Sequence, residues 1–418
     1  MRVAVIDGFG SGRWLTRALN EHGAECVHVR SRPRLVSYLE ATFQPGDYVA
    51  DLGHDSDLAA VARRILECGA EWIVAGNESG VRTGDELTHL TGLPGNLHQI
   101  AGARRDKHLM SKRLRAVGLA APEGTLVSTT EDAVAWFETA GLGSVVVKPV
   151  DSAGSDHVRF CRTRTDVLNA CDGILASENV FGTRNRAAVI QEALTGPEYY
   201  VNTVSVGGQH LIAETWRYTK TRTPDGAPVF DYEEPAEPGS SPVDAVHAYV
   251  RNALDALGVR YGAAHSEVIL TARGPVLIDP GIRLGGGVLP WVAEKFLGYS
   301  HASLLAESII RPSDALARSG RLPESWLAPI RYVSLINLQP GLARPNHQWT
   351  TLLSSLQTVV AVAAVAAEGT FLPRTNDLIS SPGYVYLSAS DPLDIEADYH
   401  RIRAWEQTCP YTTTKFVR

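Results

Sequence analysis

Short apolar runs alternate with amphipathic stretches over the first 95 residues. Arg2–Ile6 reads as a strand, Gly8-Phe9-Gly10-Ser11-Gly12 as a tight turn, and Arg13–Glu21 as a helix with Trp14, Leu15 and Leu19 on one face. Cys26–Val29, Tyr48–Ala50 and Trp72–Ala75 read as further strands, with helices at Asp57–Cys68 and Asp85–Leu90. Such alternation predicts a small parallel sheet with helices on it, a Rossmann-like arrangement. The glycine turn does not make a dinucleotide fingerprint. Arg13 stands where a third glycine is needed, and the second strand runs into Val-His-Val-Arg-Ser, where an acid should hold a ribose.

Further on, a helix is predicted at Arg105–Ala116, closed by Gly118 and Pro122. Val145–Pro149, a small polar loop and Val158–Phe160 predict a hairpin. Strand patterns recur at Ala188–Glu192, Tyr199–Val206, His210–Thr215, His265–Thr271 and Val276–Ile278, interrupted by a helix at Pro242–Leu257. Residues 219–241, rich in Thr, Pro, Gly and Glu, read as one long loop of the kind that closes over sites. Arg331–Leu338, Thr358–Ala364 and Gly383–Leu387 read as strands, and Ile395–Glu406 as a last helix.

Composition narrows the class. The 418 residues imply about two to three domains. With 39 basic against 46 acidic residues, the net charge of −7 disfavours a generic nucleic-acid surface. Five scattered cysteines without a CxxC pair suggest neither a disulfide framework nor a zinc cluster, and suit a reducing cytoplasm. The chain opens directly on a strand pattern, with no signal-peptide pattern in view. The longest apolar run, Val359–Ala367, has nine residues, whereas a membrane span needs about 20. Only six of the 39 cations are lysines, which makes each lysine informative.

Five segments carry candidate chemistry. Lys107 and Lys112 lie on the helix after Asp106, five positions apart and so not on quite one face. Lys148 follows three valines on a strand, where a buried ammonium needs an anion. The loop Asp151-Ser152-Ala153-Gly154-Ser155-Asp156 offers small residues whose amides can approach a phosphate, without the GK[ST] of a Walker loop. Gln191-Glu192-Ala193-Leu194 ends a strand six residues before Glu198. Finally, Glu267 and Asp279 fall on two strands joined by a turn at Arg273-Gly274-Pro275, and Arg283 and a glycine run at 285–287 follow. Two converging carboxylates without an evident neutralising partner suggest a hard cation such as Mg²⁺. Singly, each segment also has a plain structural reading: surface lysines, a flexible hairpin tip, an exposed Gly-Pro turn, strand carboxylates in solvent.

In this order the segments resemble the ATP-grasp superfamily, and within it the L-amino acid ligases and dapdiamide-synthetase-like amide ligases. The resemblance runs over nearly the whole chain. It includes Ala75-Gly-Asn-Glu-Ser-Gly-Val81, Gly92-Leu-Pro-Gly-Asn96, Tyr199–Ser205 and Gly383–Leu387, and is most specific at Val146–Ser155 and from His265 to Gly287. It implies an α/β protein, α+β within the grasp. A Rossmann-like pre-ATP-grasp domain would occupy 1–95, an ATP-grasp domain 96–320 with a lid at about 125–195, and a C-terminal α/β subdomain 321–418.

The resemblance also implies roles. Lys107 and Lys148 would hold ATP phosphates, with Ser152, Ala153, Gly154 and Ser155 closing over them. Gln191, Glu192 and Leu194 would meet the adenine edge, and Glu198 the ribose. Glu267 and Asp279 would bind Mg²⁺, or Mn²⁺ in its place. Arg283 would stabilise the reacting oxygens, and Glu78, His265, Gly286 and Gly287 would contact substrate. His265 and Glu78 are the candidates to take the amine's proton. The implied activity is ATP-dependent amide or peptide bond formation between a small carboxylic acid or amino acid and an amine, through an acyl phosphate, in specialised metabolism such as antibiotic biosynthesis. The partners would be small molecules, not nucleic acid or membrane, and a homodimer is the default assembly. The alternatives are another ATP-grasp reaction such as carboxylation, or a non-catalytic nucleotide-binding module. Two departures stand out: Asp279 replaces the usual glutamate, and Gly281 stands where an asparagine is common.

Overall fold

Val3, Ala4, Val5 and Ile6 have no solvent exposure, because a parallel strand with helices on both faces has no wet side. The strand Arg2–Ile6 pairs in parallel with Glu25–Val29 and Ala70–Ala75, and Ala50–Asp51 completes a four-stranded sheet. Helices Gly12–Glu21, Leu58–Glu67 and Val81–Thr91 accompany it. Asp57 caps the second of these by accepting from the amides of Ala59 and Ala60. Ala4, Ile6, Val61, Ile65 and Leu87 form one core, each larger side chain contributing about 1.5–3 kcal/mol. A Cβ on Gly8 would collide with the Tyr48 hydroxyl, which is hydrogen-bonded to Thr16 at 2.9 Å. The space freed by that glycine is thus filled by a tyrosine.

The computed structural model describes residues 1–152, 154, 156–222, 228–377 and 380–413. The chain divides into two compact units. One comprises 1–215, 238–293 and 299–324, the other 216–237, 294–298 and 325–418.

In the first unit the parallel sheet is joined by two antiparallel arrangements. Gly124–Val127, Ala188–Glu192, Val145–Pro149 and Arg159–Cys161 lie side by side in that order. Helices Thr130–Ala140 and Arg164–Leu175, which sequence periodicity did not reveal, share its core: Ala133, Val134, Val167 and Ala170 cluster with Val145 and Val147. Side chains alternate across a strand, so Val146 and Lys148 share the opposite face. The other arrangement places Gly274–Gly281, Gly262–Thr271, Glu198–Val206 and the start of Gln209–Arg222 in sequence. The helix expected at Arg105–Ala116 begins at Lys107, capped by the Asp106 carboxylate on the amides of His108 and Leu109.

In the second unit the expected long loop at 219–241 is instead mostly strand. The residues of Gln209–Arg222 from Trp216 onward pair antiparallel with Pro228–Pro235, Trp216 opposite Pro235 and Arg222 opposite Pro228. Polar and proline residues hid an alternation that sets Tyr218 and Phe230 edge to face, with the Lys220 ammonium 4.6 Å from the Phe230 ring. Residues 223–227 lie outside the described residues. Ile330–Ser334, Gly383–Ser388 and Val359–Ala364 extend this sheet. Val333, Leu335, Val385 and Leu387 pack with Ile395 and Ile402 of helix Pro392–Glu406.

Candidate functional site

Cross-strand register sets up the site. His265 and Glu267 are two residues apart on Gly262–Thr271 and therefore share a face. Opposite His265 stand Asn202 and Gly281; opposite Glu267 stand Tyr200 and Asp279. Residues directly opposite lie on the same face, so the two carboxylates foreseen in the sequence are neighbours by register.

Lys107 and Lys148 join them from other elements. Lys148 Nζ donates to the Ile278 carbonyl at 3.2 Å. Lys107 Nζ donates to the Ser152 carbonyl and pairs with Asp279 Oδ2, both at 3.1 Å. Asp279 therefore has a neutralising partner, contrary to the sequence reading; the partner comes from a helix 172 positions earlier, outside any local pattern. Lys112 is exposed. Burial of the Lys148 ammonium, with Lys107 as a second cation, lowers its pKa from 10.5 to about 8, against the pull of Asp279, Glu267 and Glu198.

Arg283 Nε lies 2.7 Å from Glu78 Oε2. Glu78, in a short turn after Ala70–Ala75, also meets Arg105, and Arg105 meets Asp151 at the start of the small-residue loop. Arg105 escaped the sequence reading. Its signal was the pair Arg104-Arg105 just before a helix N-terminus, where the macrodipole disfavours cations unless carboxylates answer them. Arg104 does so too, on Asp85 at 2.9 Å. A Cβ on Gly281 would stand 3.2 Å from the Arg283 guanidinium carbon and 3.3 Å from Glu78 Oε2. Where the resemblance leads one to expect an asparagine, this ion pair takes the space.

His265 is buried, and burial lowers its pKa. Its Nδ1 is 2.8 Å from Asn202 Oδ1, and its Nε2 3.8 Å from Glu267. Asn202 donates to Glu214 at 2.8 Å; neither residue was singled out from the sequence. In the small-residue loop, Ser152 donates to Asp156 at 2.6 Å and Gly154 has φ +68°. Ala153 and Ser155 lie outside the described residues. Gln191 is buried on its strand, Leu194 half-buried beyond it. The Glu192 carboxylate is bound by Arg273 at 2.7 Å and by the Glu123 amide at 3.0 Å. Glu198 opens the strand that pairs with Gly262–Thr271, opposite Ile269. Gly286 is exposed and Gly287 half-buried in the loop after Arg283.

The donors present suit a hard cation held together with phosphate. Among the described residues no three His, Cys, Asp or Glu converge as a self-sufficient metal cluster. Glu267 and Asp279 supply two carboxylates, and Mg²⁺ typically takes one or two, completing its shell with water and phosphate oxygens. Two lysines within reach of the same carboxylates provide the matching phosphate charge. Among the described residues no helix is long and apolar enough to cross a membrane.

Comparison with known proteins agrees with this arrangement. Residues 143–290 match the ATP-grasp domain family. Dapdiamide A synthase of Enterobacter agglomerans is 29% identical, over 96% of this chain and 97% of its own. The crystal structure of an L-amino acid ligase from Bacillus licheniformis superposes with a TM-score of 0.74 at 17% identity, covering 96% and 97% of the two chains. Carboxyaminoimidazole ribonucleotide synthase of Aspergillus clavatus, solved with ATP, gives 0.69 at 15% identity, with 98% of each chain covered. At such identities the two structures speak for the fold alone, while the family match is confined to 143–290 and the relative spans nearly the whole chain. Residues 143–290 thus carry an ATP-grasp domain, within a chain that is similar over nearly its whole length to Dapdiamide A synthase.

Proposed function

We propose that this enzyme joins a small carboxylic acid to an amine through an acyl phosphate, releasing ADP and phosphate. The observation that carries the reading is the convergence of Lys107, Lys148, Glu267 and Asp279 on one place, with the Glu78–Arg283 pair beside Gly281. A carboxylate oxygen of the acid attacks the γ-phosphorus, and ADP leaves with the electron pair of the broken P–O bond. The amine lone pair then attacks the acyl carbon, phosphate leaves, and the nitrogen loses a proton. Charge develops on phosphoryl oxygens, so catalysis is mostly positioning and electrostatics.

Lys148 and Lys107 hold the phosphates, and residues 152–156 cover them against water. Gln191, Glu192 and Leu194 form the strand end at the adenine edge, with Glu192 anchored by Arg273, and Glu198 takes the ribose. Glu267 and Asp279 would hold Mg²⁺, which when bound neutralises phosphate charge. Arg283 offers a forked guanidinium to carboxylate and phosphoryl oxygens, a geometry lysine lacks. His265, Gly286 and Gly287 border the acid. A dipeptide or related amide product, made in the cytoplasm in specialised metabolism, accords with the full-length relative and with five cysteines that are all free thiols.

The test supplies ATP, Mg²⁺ and pools of acids and amines, with bicarbonate as a separate arm. Sustained turnover to ADP and phosphate should require acid and amine together, and oxygen-18 from the acid's carboxylate should appear in phosphate. AMP and pyrophosphate as products, or turnover driven by bicarbonate, would overturn the reading.

A further inference from the structure

Four charged side chains form a continuous chain through the first unit. Arg105 Nη2 meets Asp151 Oδ1, and its Nη1 meets Glu78 Oε1. Glu78 Oε2 in turn receives Arg283 Nε at 2.7 Å. Each oxygen of Glu78 thus faces a different guanidinium, and each terminal nitrogen of Arg105 faces a different carboxylate. Arg105 is 9% exposed and Glu78 7%. Buried ion pairs add little to stability over apolar packing of the same volume, so the worth of this chain lies in the elements it aligns. Asp151 stands three residues after Lys148, and its carbonyl accepts from Asn179 Nδ2 at 2.6 Å. The carbonyls on either side of it, of Val150 and Ser152, accept from the Lys107 amide at 3.4 Å and from Lys107 Nζ at 3.1 Å. One end of the chain is therefore tied to both lysine-bearing segments. At the other end, the turn that carries Glu78 is braced by the Ser79 hydroxyl, which donates to Asp7 at 2.5 Å. The Phe181 ring lies 5.7 Å from the Arg105 guanidinium, and its carbonyl accepts from Arg32 at 2.6 Å.

We propose that Arg105 is a positioning residue for the ligation: acting through Glu78, it fixes the Arg283 guanidinium relative to Lys107 and Lys148. The assignment rests on the ligase reading above and adds to it the residue that sets phosphate and acid against each other. When a carboxylate oxygen attacks the γ-phosphorus, the new P–O bond forms as the bond to ADP breaks, and ADP takes the electron pair. Such a displacement tolerates little misalignment; a shift of about 1 Å costs roughly a hundredfold in rate. Arg105 can span Asp151 and Glu78 because a planar fork presents its donors at a fixed angle, which an ammonium does not. Its two terminal nitrogens are already engaged by carboxylates. It therefore acts on the substrates through Glu78 and Arg283, without touching them. Arg105→Lys keeps the charge that Glu78 and Asp151 need and removes only the fork.

The experiment compares wild type, Arg105→Lys, Arg283→Lys and the double variant, with ATP, Mg²⁺ and the acid and amine pools. It reads single-turnover ADP formation, KM for ATP, ADP affinity by calorimetry and the unfolding midpoint. Arg105→Lys should lose at least tenfold in the rate of ADP formation, with KM for ATP and ADP affinity each within threefold of wild type. In the Arg283→Lys background the same substitution should cost less than threefold further, since the guanidinium it positions is already gone. Asp151→Asn, at a half-buried position that leaves every cation in place, should lose at least threefold, again only where Arg283 is present. Additive losses in the double variant overturn the assignment, as does an unchanged rate in folded Arg105→Lys or in Asp151→Asn. So does a fall in ADP affinity as large as the fall in rate, which would place Arg105 on the nucleotide. If Arg105→Lys fails to fold, Asp151→Asn with and without Arg283→Lys decides the matter by the same criteria. ADP formation by wild type that is indifferent to acid and amine overturns the ligase reading and this assignment with it. Ligation by wild type together with additive losses overturns this assignment alone.

Discussion

Arg283 and Glu78 meet at 2.7 Å through Nε and Oε2, and a side chain on residue 281 would crowd both partners. Gly281→Asn should push the guanidinium away from Glu78. Expected is a loss of at least tenfold in amide synthesis with ADP affinity retained. Steady-state rates set beside calorimetric ADP binding check it, and an unchanged rate would show that the pair tolerates displacement.

Arg283→Lys keeps a cation but not the fork. ADP binding should persist, and the rates of both acyl phosphate formation and amide synthesis should fall by orders of magnitude, with KM for the acid raised. Single-turnover ADP formation, which reports the first step, set beside phosphate release, which reports the second, separates the two. Equal loss of ADP affinity would mean that Arg283 belongs to the nucleotide instead.

Lys148 is buried, with its pKa near 8. Lys148→Met should weaken ADP binding at least tenfold and leave the unfolding midpoint at or above that of wild type, because a buried ammonium opposes folding. In wild type the ADP affinity should decline as pH rises past about 8, where the free protein loses that charge. The variant should lack this limb. Calorimetry between pH 7 and pH 9 gives the comparison, and a variant with the same limb as wild type would remove Lys148 as its source.

Glu267→Gln and Asp279→Asn each remove one carboxylate from a site that has two. Either should lower the rate by orders of magnitude, and excess EDTA should abolish wild-type turnover, restored by Mg²⁺ or Mn²⁺. In Asp279→Asn the Lys107 ammonium also loses its 3.1 Å partner. Activity that survives EDTA would count against the metal assignment.

Two buried histidines should make the fold acid-sensitive. Burial lowers the pKa of His247 from 6.5 to about 4 and of His301 to about 3. A depressed folded pKa means that the unfolded chain takes up the proton first. Stability is thus full above 6.5 and is lost as pH falls toward 4, by at most about 3 kcal/mol for His247. Urea unfolding at pH 7, 5.5 and 4.5 should show the decline, and His247→Gln should flatten part of it. The same slope in the variant would assign the loss to other groups.

Much of the site was legible in the sequence because its parts are local. Val145-Val146-Val147 announces a strand buried on at least one side, and a lysine continuing it should meet an anion; the structure buries that strand on both faces. Glu267 and Asp279 lie on two strands joined by a tight turn, so their distance along the chain nearly fixes their register. The parallel sheet at the N-terminus followed from the alternation of apolar runs and amphipathic helices. What the sequence could not supply was set by long-range contact. The Asp279 partner Lys107, the Arg105–Glu78–Arg283 chain and the Asn202–Glu214 pair join elements with no common period, and two of these three depend on residues with no motif of their own. The hairpin within 219–241 went unseen because its pairing lies across strands, where the register is decided by packing against neighbours and not by the propensity of threonine, proline and glycine. Gly281 shows the division most plainly. Its identity was visible as a missing asparagine, but only the fold revealed that two side chains from separate segments fill the space, since a void is a property of neighbours and not of the residue that leaves it.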